Sequence, residues 1–277
     1  MNKLRLEERV KIVACLVEGN SLRSTVRMTG IHRTTIQNLL VALGAACSAY
    51  QDKVFRDLKL SHIQCDEIWE FCGAKEKNVT PKQKAAGWGD IWTWTALDSK
   101  TKLVPCWYVG NRDASAAYHF MHDLRERLAS RVQLTTDGLM VYIPAAEEAF
   151  GAEIDYAQLV KIYGNETSPK DNAQIRYSPA QCMGARKAVI SGHPHYAHIS
   201  TSHTERQNLT MRMSMRRFTR LTNAFSKKVE NHEAAVARHF MHYNFARIHM
   251  ALRVTPAMEA GVADHVWTLQ EIVGLLD

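Results

Sequence analysis

Three acidic residues, Asp66, Asp137 and Glu205, stand where a carboxylate could do chemistry. Asp66 lies in the strand candidate LSHIQCDEIWEFCGAK. Asp137 ends the short strand candidate Val132 to Thr136 and is followed by Gly138. Glu205 opens HTERQNLTMRMSMRRFTRL, which reads as a helix. Phosphodiester bonds resist attack because their anionic oxygens repel a nucleophile and the departing alkoxide is poor. Two divalent ions roughly 4 Å apart, held by three carboxylates, activate the attacking oxygen and stabilise the leaving one. Oxygen ligands favour Mg2+ or Mn2+ over zinc, and no general-base histidine is required. The chain has 28 Asp and Glu, so many such triples exist and spacing alone does not single this one out.

The stretch that carries Glu205 joins that acid to a run of cations. Glu205, Arg212 and Arg216 recur at steps of seven and four, which a helix would align along one side. From Glu205 to Arg253 there are ten Lys or Arg against three Glu, an excess equal to the +7 of the whole chain. Such a concentration favours a face for an anionic partner, nucleic acid or an anionic membrane surface, over a uniformly basic surface. A solvated basic helix that serves only solubility is the plainer reading.

The elements that must position these acids follow in order. Leu6 to Glu18 has the apolar spacing of a helix. Ser21 caps a second short helix that Gly30 ends, and a third runs from about His32 through Leu43. A short Gly-containing turn before the third helix matches a helix-turn-helix. His32, Arg33, Thr34, Thr35, Gln37 and Asn38 would then face a DNA groove or its phosphates, although a plain three-helix packing unit has the same apolar pattern. Gly44 to Lys59 reads as a helical connector, giving an N-terminal region of residues 1–58.

Within the second region Asp66 and Glu67 are adjacent. Neighbouring side chains on a strand point to opposite faces, so at most one of them is expected in a shared site. Cys65, Trp69 and Phe71 share the Glu67 side, and Ile68 shares the Asp66 side. Ile91 to Leu97 and Leu103 to Val109 read as a hairpin, in which Trp92 and Trp94 pack the sheet and Asp98 serves the turn. A helix over 114–128, the strand over 132–136 and a helix over 142–150 come next. Gly151 to Ser202 is the least readable part, with a strand candidate at Leu159 to Ile162 and the turn-rich GNETSPKDN. His193, His195, His198 and His203 cluster near its end, but with Cys182 they fit no standard zinc spacing. A second long helix follows the basic one, and residues 254–277 form a C-terminal packing segment.

The six cysteines are far apart without a CxxC pair, as expected of reduced thiols. There is no signal-peptide h-region and no apolar run near the length of a membrane span, so a soluble cytoplasmic protein without a membrane partner is expected.

CDEIWEFCGAK, WTWTALDSKTK with the nearby VGNRD, TTDG, and HTERQNLTMRMSMRRFTRLTNAFSKKVENH together resemble the IS1-type insertion-sequence transposases of the DDE superfamily, over roughly residues 60 to 250. The resemblance implies an α/β chain: a ribonuclease H-like core over 59–253, a five-stranded mixed sheet with helices, preceded by the all-α helix-turn-helix domain. It implies Asp66, Asp137 and Glu205 as catalytic and metal-holding carboxylates with two Mg2+ or Mn2+ ions. Arg212, Arg216, Arg217, Arg220, Lys227 and Lys228 would hold phosphates, and Arg206 and Asn208 would align the site or the strand. The implied activity is binding of terminal inverted repeats, hydrolysis at the element ends, and joining of the 3'-hydroxyl to target DNA. The partners would be double-stranded DNA and further copies of the chain, since two ends must be brought together. The 68 residues between Asp137 and Glu205 exceed the family pattern and imply an insertion at 151–202. A non-catalytic DNA-binding regulator and a related nuclease are the alternatives.

Overall fold

A computed structural model describes residues 4–163, 182–219 and 223–277. Three helices open the chain, α1 (Leu6–Val17), α2 (Leu22–Thr29) and α3 (Arg33–Val54). The Ser21 hydroxyl caps α2 by accepting from the Ser24 amide at 3.1 Å. Gly30 ends α2 at φ 71°, in the left-handed region that a residue without a Cβ enters cheaply. Helix α3 continues through the stretch expected as a connector and stops only at Val54.

The remaining described residues include β1 (His62–Cys72), α4 (Pro81–Ala85), β2 (Gly89–Asp98), β3 (Cys106–Gly110), α5 (Ala114–Arg127), β4 (Val132–Thr136), α6 (Tyr142–Phe150), β5 (Ile154–Tyr163), β6 (Cys182–Ser191), α7 (Ser202–Ser214), α8 (Val229–Met241), α9 (Pro256–Glu259) and α10 (Leu269–Gly274). The strands make one mixed sheet in the order β3-β2-β1-β4-β5-β6. β1 pairs antiparallel to β2 and parallel to β4; β2–β3 and β5–β6 are antiparallel, and β4–β5 is parallel. A mixed sheet flanked by helices, with further helices at the N-terminus, agrees in general terms with a ribonuclease H-like α/β architecture.

Among the described residues the sheet has six strands where five were expected. The addition is β6, on the outer edge beside β5 and drawn from the stretch that was hardest to read. Its residues are mostly exposed, so its backbone ladder holds it in place without an apolar face, and no period-two pattern marks it in the sequence. The candidate at Leu159 to Ile162 falls within β5; GNETSPKDN lies outside the described residues.

Alternation along β1 divides the core. Ile63 and Cys65 join a buried cluster with Phe120 and Leu124 of α5 and Tyr142 of α6. Ile68, from the opposite face, joins Met211 of α7 and Val236 and Phe240 of α8. The N-terminal helices share both clusters: Leu43 and Cys47 belong to the first, Ile12 and Ile36 to the second. Helices α3 and α8 cross in close contact, because a Cβ on Gly44 would lie 2.4 Å from the Cα of Ala234. Trp94 is fully buried and donates its indole N–H to the Asn111 carbonyl at 3.0 Å, in keeping with a packing role. Asp98 serves its turn: its carboxylate accepts from the amides of Ser61, His62 and Thr101.

The basic helix is shorter than its sequence suggests. α7 ends at Ser214, Met215 is extended at φ -127° and ψ 109°, and Arg216 to Phe218 form a separate 3-10 turn. The turn after α1 lies against the last turn of α7, where a Cβ on Gly19 would be 2.9 Å from the Met213 carbonyl oxygen. Arg216 is therefore off the helix that carries Glu205 and Arg212.

Candidate active site

The acids meet where two parallel strands part. β1 pairs with β4 only at His62↔Gln133, Ile63↔Leu134 and Gln64↔Thr135. Past Gln64 the β4 side of β1 is open, and β4 ends at Thr136, so Asp137 turns off beside that opening. This is the carboxyl edge of two parallel strands, where α/β sheets commonly hold ligands.

Asp66, Glu67 and Asp137 each place a carboxylate oxygen within 4.8 Å of the others. The inclusion of both Asp66 and Glu67 departs from the expectation that one at most would take part. Their side chains do leave on opposite faces: Asp66 meets α7 and Glu67 meets the start of α6. With no neighbouring strand at this level, both reach the open edge where Asp137 lies.

Each acid is held differently. Glu67, whose side chain is 2% exposed, accepts from the Arg112 guanidinium at 2.6 Å and from the Tyr142 hydroxyl at 3.0 Å. Asp66 accepts from the Glu67 amide at 2.9 Å and from Asn208 Nδ2 at 2.8 Å. Asp137 accepts from the Leu139 amide at 2.9 Å, and Arg112 approaches its other oxygen at 3.8 Å. Burial, then the charges of Glu67, Asp137 and Glu205, push the Asp66 carboxyl up to about 7. Burial and the charge of Asp137 also raise Glu67, opposed by Arg112 and the Tyr142 hydrogen bond.

Helix α7 docks on β1 through its first two turns. Gln64 Oε1 accepts from the amides of His203 and Thr204 at 2.9 and 3.4 Å, occupying N–H groups that a helix start leaves open. Asn208 then reaches Asp66 one turn further on. Glu205 lies between these anchors, yet it stands outside the tight group. Its Oε1 accepts from Lys161 on β5 at 2.7 Å and from the Thr201 hydroxyl at 2.5 Å.

A divalent cation suits this place by donor chemistry. The donors are hard oxygens, the carboxylates crowd one another, and Asn208 Oδ1 is buried without a hydrogen-bond partner. Among the described residues the four late histidines and Cys182 form no such group.

The candidate DNA-contacting residues fall at two places. Arg33, Thr34, Thr35 and Asn38 are exposed at the start of α3, with Gln37 half-buried beside them. Arg206 is exposed on α7, Asn208 is buried against Asp66, and Arg212 is half-buried. Arg216, Lys227 and Lys228 are exposed, while Arg217 donates to the Ser226 hydroxyl at 2.5 Å. Arg220 lies outside the described residues. The contributions of Glu67, Tyr142, Lys161 and Arg112 were not read from the sequence, although Arg112 lies inside VGNRD.

A family model described as IS1 transposase matches residues 182–246. Over that stretch the chain resembles an IS1 transposase. The match opens on β6 and spans all of α7 with Glu205 and Asn208, then α8, a narrower stretch than residues 60 to 250. No curated protein matches the chain. The distant likeness and the clustered acids together support a nuclease- or transposase-like catalytic capability in general terms.

Proposed function

We propose that the chain is a DNA transposase that binds the terminal inverted repeats of its element, hydrolyses a phosphodiester at each end, and joins the freed 3'-hydroxyl to target DNA. The observation that carries the reading is the convergence of Asp66 and Asp137 at the open end of β1 and β4, with α7 pinned to Asp66 by Asn208 inside the stretch that resembles an IS1 transposase.

Asp66, Asp137 and Glu205 are the residues proposed to hold the ions. Glu67 is neutralised by the Arg112 guanidinium and also accepts from the Tyr142 hydroxyl. Glu205 is 40% exposed and is held by Lys161, an ion pair it would exchange for the ions. Two Mg2+ or Mn2+ ions, when bound, would supply Lewis-acid activation of the attacking oxygen and charge stabilisation at the leaving one. Glu67 acts through Arg112, fixing that guanidinium beside Asp137. Arg206, Arg212 and Arg216 orient the phosphates of the strand. The exposed face of α3, with Arg33, Thr34, Thr35, Gln37 and Asn38, reads the element end. Since two ends must be held together, the active form is an oligomer of this chain on double-stranded DNA.

The test uses labelled candidate end DNA, a target plasmid, and Mg2+ or Mn2+. Wild type should nick the end and join it to the plasmid. Asp66→Asn, Asp137→Asn and Glu205→Gln should bind DNA and cut at least a hundredfold more slowly, on the order of the loss of an essential charge-stabilising group. Robust cutting by any one of them removes that residue from the mechanism. Cutting without joining would identify a nuclease, and binding without cutting a regulator.

A further inference from the structure

A cavity of about 710 Å³ opens where the N-terminal helices meet the turn after α7 and the start of α8. Arg23 and Arg33 line it from α2 and α3, Arg216 and Arg217 from the 3-10 turn, Lys227 and Lys228 from the segment before α8, and Arg238 from α8 itself. No Asp or Glu lines it among the described residues.

Seven cations around one cavity already favour an anion, but rim lysines and arginines alone can be satisfied by water. Arg238 differs from the rim: it is 4% exposed, and its Nε and Nη1 are buried without a protein hydrogen-bond partner. An unpaired guanidinium out of water is among the costlier groups a fold can contain, and it is relieved when an anion accepts its donors. Glu70 lends some opposing charge to Arg217, whereas Arg238 feels the like charge of Arg217. Burial pulls both guanidinium groups below the usual arginine range, to about 10.

We propose that this cavity is a phosphate site, with Arg238 at its floor, that takes backbone phosphates of a nucleic-acid strand. The strand assignment rests on the function proposed above; the phosphate chemistry does not. Asn208, beside Asp66, is six residues before the end of α7. At 1.5 Å per residue the cavity therefore begins roughly 10 Å beyond Asn208, about three phosphate steps of one duplex strand. A strand entering the acid cluster could continue along α7 into this cavity and on to the exposed start of α3.

The experiment uses the full chain in EDTA, so that no metal-dependent step contributes. Sodium pyrophosphate should raise the melting temperature of wild type relative to sodium chloride at equal ionic strength, and Asp66→Asn should show the same rise. Arg238→Met should lose it. On a short labelled duplex, Arg238→Met should bind about tenfold more weakly at 0.1 M salt, the size expected for one lost charged hydrogen bond, with a salt slope lower by about one. If Arg238→Met does not fold, the double variant Lys227→Gln/Lys228→Gln on the rim should reduce both the pyrophosphate rise and the salt slope. No pyrophosphate rise in wild type, or an equal rise in the variant, overturns the site. A rise lost in the variant with duplex binding unchanged assigns the cavity to a free polyphosphate and overturns the strand assignment. Because cutting is not measured, failure here is distinguishable from failure of the catalytic reading.

Discussion

Asn208 on α7 donates to Asp66 on β1 at 2.8 Å, a hydrogen bond between residues 142 positions apart that fixes the helix to the strand beside the acids. Its other amide atom, Oδ1, is buried and unpartnered on the same side chain. Asn208→Ala should leave the fold and DNA binding in place while slowing metal-dependent cutting by about a hundredfold, the scale of a misplacement of about 1 Å in a reacting centre. Asn208→Asp should be worse, because it sets another negative charge against Asp66. Cutting rates across a Mn2+ titration measure both; an Asn208→Ala protein as fast as wild type would mean that the contact only packs the helix.

Addition of Mg2+ or Mn2+ should raise the melting temperature. The cation relieves the repulsion among Asp66, Glu67 and Asp137, whose oxygens lie within 4.8 Å of one another. A ligand at a hundred times its dissociation constant stabilises by about 2.7 kcal/mol, several degrees for a chain of this size. Asp137→Asn removes one of the charges that oppose the others, so its metal-free form should melt higher than wild type and respond less to the ion. A metal response of equal size in this variant would place the ion elsewhere.

Asp66 and Asp137, which the fold brings together, carry local marks in the sequence, an acid in an apolar strand and a strand tip before glycine. Glu67 was hidden by a rule that holds for a fully paired strand. Side-chain alternation sends Asp66 and Glu67 to opposite faces, as the core clusters show for Cys65 and Ile68. Loss of the β4 partner beyond Gln64 is a tertiary fact that no period reveals. Lys161 was invisible for a similar reason: its partnership with Glu205 depends on β5 lying beyond β4 in the sheet. β6 left no trace because an exposed edge strand has no apolar face to alternate. α7 ends at Ser214, beside the turn at Gly19 that is remote in sequence, so the heptad-like line of Glu205, Arg212 and Arg216 overran it.

Gly44 should tolerate no side chain. A Cβ there would be 2.4 Å from both the Cα and the Cβ of Ala234, so shortening that residue could not clear the clash. Gly44→Ala should destabilise by about 1 to 3 kcal/mol as α3 and α8 are forced apart, despite alanine's better helix propensity. Urea unfolding reads this as a lower midpoint. Since α3 also presents Arg33 to Asn38, duplex binding should weaken along with stability; a variant more stable than wild type would show that propensity outweighs the crossing.

Acid should unfold the protein partly through α8. Burial, and then the charge of Arg217, pull His232 down to about 3. Burial likewise pulls His242 down to about 4 and holds His239 well below its ordinary value. In the unfolded chain these imidazoles take up a proton near pH 6.5, whereas in the folded chain they stay neutral until much lower pH. Between those limits the unfolded state binds more protons, so stability rises with pH: it is fully present above about 6.5 and is lost as pH falls toward the folded values. His232 alone should contribute a loss of about 2 kcal/mol between pH 7.5 and pH 5, from roughly 1.4 kcal/mol for each pH unit below 6.5. His232 has one weak polar contact, Nε2 to the Thr93 hydroxyl at 3.3 Å, and an unpartnered Nδ1, so His232→Leu should fold. Its unfolding free energy, measured in urea from pH 5 to 7.5, should fall with acid by one proton's worth less per pH unit than wild type. An unchanged slope would mean that His232 is already protonated in the folded protein.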